Sequence, residues 1–75
     1  MTEPDEYYVA LFESVSHVLR SEKILENAGI PHKLIPVPRH ISSDCGICIR
    51  FSVELKKQIE DTLTGKVDIQ EIRPL

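Results

Sequence analysis

Cys45 and Cys48 stand three residues apart in a stretch, Leu34 to Phe51, that also holds Pro36, Pro38, Arg39, His40, Ser42, Ser43, Asp44 and Gly46. Thiolates attack electrophiles and bind metals, so three chemistries fit these residue types. The first is a dithiol redox pair. C-x-x-C pairs work where residues three apart are neighbours, as at the start of a helix. Here the residues after Cys45 read as a strand, and three residues along a strand span roughly 10 Å and end on opposite faces. A disulfide needs Cα atoms within about 7 Å, so bridging would require a turn or bulge at Cys45-Gly46. The second is zinc. Cys45, Cys48, His40 and His32 count to four ligands, but no second C-x-x-C and no H-x-x-x-H completes a zinc pattern, and no metal is expected.

The third chemistry is a single nucleophilic thiol. Cys45 lies in a polar loop between Asp44 and Gly46, which is not a core position, and Gly46 leaves room for another molecule to approach the sulfur. Arg39 is either a solvated loop charge or an anion anchor beside the thiol. His40 can accept a thiol proton. Asp44 works against thiolate formation. Ser42 and Ser43 fit turn formation better than catalysis. Pro36 and Pro38 fix the direction in which the loop leaves. Cys48 reads as a small apolar side chain packed on the sheet.

The elements that must hold this stretch follow from periodicity. Tyr7 to Phe12 is an uncharged aromatic and branched run, a central strand covered on both faces. Ser14 or Ser16 caps a helix whose apolar stripe is Val15, Val18, Leu19, Leu25 and Ala28, widened by Ile24, with Glu22 an odd member. His17 is expected on its solvent side. Gly29 and Pro31 end this helix. His32 to Val37 is a second strand, and Pro36 makes it an edge. Ile47 to Phe51 alternates, with Ile47, Ile49 and Phe51 on one face and Cys48 and Arg50 on the other. Ser52 caps a second helix carrying Val53, Leu55, Ile59 and Leu63, stopped by Gly65. Val67, Ile69 and Ile72 form a partly polar fourth strand ended by Pro74.

The order β-α-β-β-α-β predicts an α+β ferredoxin-like split βαβ domain spanning residues 1–75, an antiparallel-type four-stranded sheet with two helices on one face. Residues 1–6 read as a flexible end. Strands one and three are expected side by side and parallel in the centre, with strands two and four at the edges. The cysteine loop then falls at the end of the sheet away from both helix N-termini, outside the reach of their dipoles.

Seventy-five residues make a thin core, so a site on the surface or one completed by a partner fits better than an enclosed cavity. The net charge is −3, and low aromatic content without Trp argues against a nucleic-acid binder. Charge is uneven: residues 1–30 sum to −4, residues 31–50 to +2 and residues 51–75 to −1. The loop is a basic patch on an acidic chain, suited to a small anion, a thiolate or an acidic partner, although a solvated face gives the same count. No secretory leader or membrane span is visible, which points to the cytoplasm, where thiols stay reduced.

The runs Leu34-Ile35-Pro36-Val37-Pro38-Arg39 and Ile41-Ser42-Ser43-Asp44-Cys45-Gly46-Ile47 resemble a small bacterial family of selenium/sulfur carrier-like proteins. Tyr8 to Phe12 and the segment from Glu22 to Ile30 are similar to its pattern, so the likeness covers about residues 7–64. Cys48 departs from that pattern, where a small or apolar residue is usual. The resemblance implies a carrier, sulfurtransferase-like at most, that takes sulfur or selenium on Cys45 from a donor protein and passes it to an acceptor, with no cofactor. Arg39, His40 and Gly46 would serve the bound group, and Pro36, Pro38, Ser42 and Ser43 the loop. The alternatives are a non-enzymatic interaction module, including a homodimer formed through the sheet, and a thiol–disulfide switch through Cys45 and Cys48.

Overall fold

The computed structural model describes residues 6–41 and 46–75. Seven elements follow in order. They are β1 (Tyr7–Leu11), α1 (Val15–Asn27), β2 (Lys33–Pro36), β3 (Ile47–Ser52), a 3₁₀ turn (Val53–Leu55), α2 (Lys56–Leu63) and β4 (Glu71–Pro74). The sheet order is β2-β3-β1-β4, and every neighbouring pair is antiparallel. This is the ferredoxin-like split βαβ arrangement, with β2 and β4 at the edges, as Pro36 and the polar character of the fourth strand predicted.

One expectation is corrected. β1 and β3 are antiparallel, with Tyr8 opposite Phe51 and Ala10 opposite Ile49. The crossover through α1 returns the chain as β2, running the same way as β1 but one strand away. The hairpin partner β3 fills that gap and so opposes both. β3 therefore starts beside the end of β1. The β2–β3 loop shares this end of the sheet with the N-terminus of α1 rather than lying at the opposite end.

Strand alternation builds two cores from one sheet. Ala10 and Phe12 of the β1 segment and Ile49 and Phe51 of β3 face the helices, packing with Val18, Leu25, Ile59, Leu63 and Val67. Val9, Leu11 and Cys48 point to the other face, where Ile41, Ile35 and Val37 join them. Both faces of β1 are thus covered, which explains its unbroken hydrophobicity.

The helices depart from the predicted stripes in detail. α1 opens on Ser14, whose hydroxyl accepts from the His17 N–H at 3.3 Å. Its buried seam is Val18, Ser21 and Leu25. Val15 and Leu19 are exposed, at 46% and 51%, and Ala28 is exposed too. Hydrophobicity alone rotated the stripe, because small Ser21 occupies a buried position that apolar periodicity does not count. His17 is half-buried, and its Nδ1 is buried without a hydrogen-bond partner, not on the open solvent side. Gly29 at φ +73 ends the helix as expected.

The second helix begins later than predicted. Ser52 accepts from the Glu54 N–H and starts a 3₁₀ turn, and only from Lys56 does the chain become α-helical. After Leu63, the Lys66 and Val67 N–H groups both donate to the Leu63 carbonyl. That wrap puts Val67 in the core while it is still part of a connection, so β4 starts only at Glu71.

Candidate functional site

The β2–β3 connection is held by three contacts that can be read from its described ends. The Val37 N–H donates to the Gly46 carbonyl at 3.0 Å, which carries the hairpin ladder one step past β2. The Ile41 N–H donates to the Pro38 carbonyl at 3.0 Å, closing a tight turn around Arg39 and His40. The Ile41 side chain then sits on the helix-free face against the cluster of Val9, Leu11 and Cys48 and is only 4% exposed. Burying an isoleucine contributes about 1.5–3 kcal/mol, enough to seat a short loop.

This arrangement sorts the predicted site residues. Arg39 and His40 are exposed at the centre of the Pro38–Ile41 turn. Pro36 closes β2 opposite Ile47, and Pro38 supplies the carbonyl of the turn. Gly46 is exposed at φ +86, and a Cβ there would meet nothing within 4 Å. Its backbone conformation, not crowding, therefore requires glycine. Ser42, Ser43, Asp44 and Cys45 lie outside the described residues.

Cys48 is wholly buried beneath Ile41 and opposite Ile35 of β2. It is a core residue of the smaller cluster, as the alternation predicted. It does not belong to an open binding surface, the position it would hold if the sheet face were bare.

His32, counted with the cysteines as a zinc ligand, is elsewhere. It lies just before β2, at the far end of that strand from the loop. Its Nδ1 is 2.7 Å from the Ile30 carbonyl oxygen and its Nε2 is 3.3 Å from Glu22 Oε2. A carbonyl and an ionised carboxylate can only accept, so whichever ring nitrogen carries a proton donates to the oxygen beside it. The same pair explains Glu22 inside the apolar stripe of α1: it reaches the His32 ring just ahead of β2.

Sequence reasoning passed over Ile41. A lone isoleucine between a basic pair and two serines carried the signal, because a branched apolar residue in a polar loop needs somewhere to be buried.

The chain is similar to the uncharacterized protein YtiA of Escherichia coli strain K12. The two are 28% identical over 58 residues, 77% of this chain and 68% of that protein. No solved structure matches the chain. The family described as "Putative Se/S carrier protein-like" matches residues 7–74, from the first residue of β1 to the last of β4, and the chain belongs to that family.

Proposed function

We propose that this protein carries sulfur or selenium on Cys45, receiving it from one protein and delivering it to another. Membership of the selenium/sulfur carrier-like family supports this reading most directly. Burial of Cys48 adds to it, because a thiol at 0% exposure is closed to a donor's sulfur and leaves Cys45 as the reagent.

The step is a sulfur transfer between thiols. The Cys45 thiolate attacks the terminal sulfur of a donor persulfide, R–S–SH. A new S–S bond forms to Cys45, the donor's S–S bond breaks, and R–S⁻ leaves; no net oxidation occurs. His40 takes the thiol proton beforehand, and Arg39 offers a positive charge to the persulfide anion. Both sit on a turn whose closing residue, Ile41, is anchored in the sheet, which limits how far they can wander. Selenium would pass by the same exchange from a donor perselenide.

The protein should be incubated with a cysteine desulfurase and cysteine and its mass measured intact. One added sulfur on the wild type and none on Cys45→Ala is expected. No addition to the wild type, or equal addition to both, overturns the reading.

A further inference from the structure

The register of the sheet lines up three cations across its helix-free face. Lys33 of β2 pairs with Arg50 of β3, Arg50 pairs with Val9 of β1, and Val9 pairs with Arg73 of β4. Residues directly opposite in an antiparallel sheet project to the same side. Val9 belongs to the helix-free cluster, so all three cations leave the sheet on that side.

Their surroundings leave two of the three, Lys33 and Arg50, uncompensated. Among the described residues no carboxylate lies within ion-pair distance of Lys33 or Arg50, whereas Lys56 and Lys57 on α2 each have one, Glu60 and Asp61. The Arg50 guanidinium lies 4.5 Å over the Tyr7 ring, which fixes it on the face. Arg73 Nε is buried without a hydrogen-bond partner, and its Nη1 is 3.9 Å from Glu71 Oε2. Tyr7, Lys33 and Arg50 line one shallow depression together with Pro31 and Ser52. This concentration of positive charge belongs to a chain of net charge −3.

We infer that the row Lys33–Arg50–Arg73 is a docking surface for an extended acidic segment of a partner protein, with carboxylates at alternate positions. The spacing argues for that form. Three interstrand steps separate Lys33 from Arg73, about 14 Å, and residues two apart in an extended chain are about 6.8 Å apart. A segment with acids at three alternate positions spans the row from end to end. The face suits nucleic acid less well: its one aromatic, Tyr7, is already covered by Arg50, so no stacking platform remains. The inference deepens the carrier reading, since the Ile41 anchor of the cysteine loop is seated on this same face, and a partner lying along the row would come alongside the loop.

The test uses the full chain and a fluorescent six-residue peptide of alternating glutamate and serine, with a glutamine–serine peptide as control. The glutamate peptide should bind, weaken with added salt, and bind Lys33→Gln/Arg73→Gln about tenfold more weakly. Cys45→Ala should bind it as the wild type does. Equal binding of both peptides, no loss in the double variant, or tighter binding of a six-nucleotide single strand or of anionic vesicles than of the peptide overturns the inference. Thermal melts of the double variant confirm that it is folded. Its sulfur loading from a small-molecule persulfide should be unchanged, so a failed dock and a failed carrier give different results.

Discussion

At Gly46 the chain adopts φ +86 with empty space where a Cβ would sit. An alanine there meets no neighbour yet must hold a left-handed backbone, at a cost of about 1–2 kcal/mol. Gly46→Ala should therefore lower stability in urea unfolding by about that amount, and a neutral result would mean the turn relaxes freely. Cys48 differs, since its side chain is wholly buried in the helix-free cluster. Cys48→Ala removes one buried group and should cost about 1 kcal/mol, roughly that of a buried methylene. Sulfur loading of the folded variant should match the wild type. A large loss of loading in Cys48→Ala, with folding intact, would mean that the second thiol takes part.

At the scale of elements, the structure is tied together by single side chains that reach from one element to the next. Ile41 ties the β2–β3 connection to the helix-free face. Ile41→Ala should cost about 2 kcal/mol, the low end for large-to-small changes because the site is near the surface. Hydrogen exchange at the Val37 amide, whose bond to Gly46 closes the same hairpin end, should speed up in the variant. His32 ties the start of β2 to α1 through Glu22. His32→Ala should cost about 1–3 kcal/mol, chiefly from leaving the Ile30 carbonyl and the Glu22 carboxylate without their donor, measurable by urea unfolding. The order of elements and the edge positions of β2 and β4 were legible in the sequence, because Pro36, Gly29, Gly65 and the alternation of Ile47 to Phe51 each act within a few residues. The relative direction of β1 and β3 was not, because no local signal encodes it; it follows from which gap the hairpin fills. Nor was the true face of α1, where buried Ser21 and exposed Val15 and Leu19 invert the hydrophobic count. Of the site, the burial of Cys48 could be read in advance from the alternation of β3. The anchoring role of Ile41 and the cation row could not, since both depend on partners distant in sequence.

At the scale of the whole molecule, β1 is the wall between the two cores. A chain of 75 residues has a total stability of about 4–11 kcal/mol. Phe12 belongs to the larger core and is fully buried, so Phe12→Ala should cost about 3–5 kcal/mol and leave a sizeable unfolded population. Val9 belongs to the smaller core, and Val9→Ala should be milder, with circular dichroism melts separating the two. Equal losses would mean that the helix-free cluster matters as much to stability as the helix-side one.

The two outer strands share a detail that bears on how copies of this chain behave when crowded. In β2 the Val37 N–H turns inward to Gly46, so in strict alternation Pro36, one residue earlier, turns its backbone outward. In β4 the Leu75 N–H turns inward to Tyr7, so Pro74 likewise faces outward. Each rim of the sheet therefore lacks an amide proton at the spot where an incoming strand would seek one. Sheet-by-sheet growth into fibrils is interrupted on both sides, and a dimer built by joining rims loses a ladder bond at the same places. The chain keeps its apolar strands from templating one another by two prolines, leaving its broad face as the surface for company.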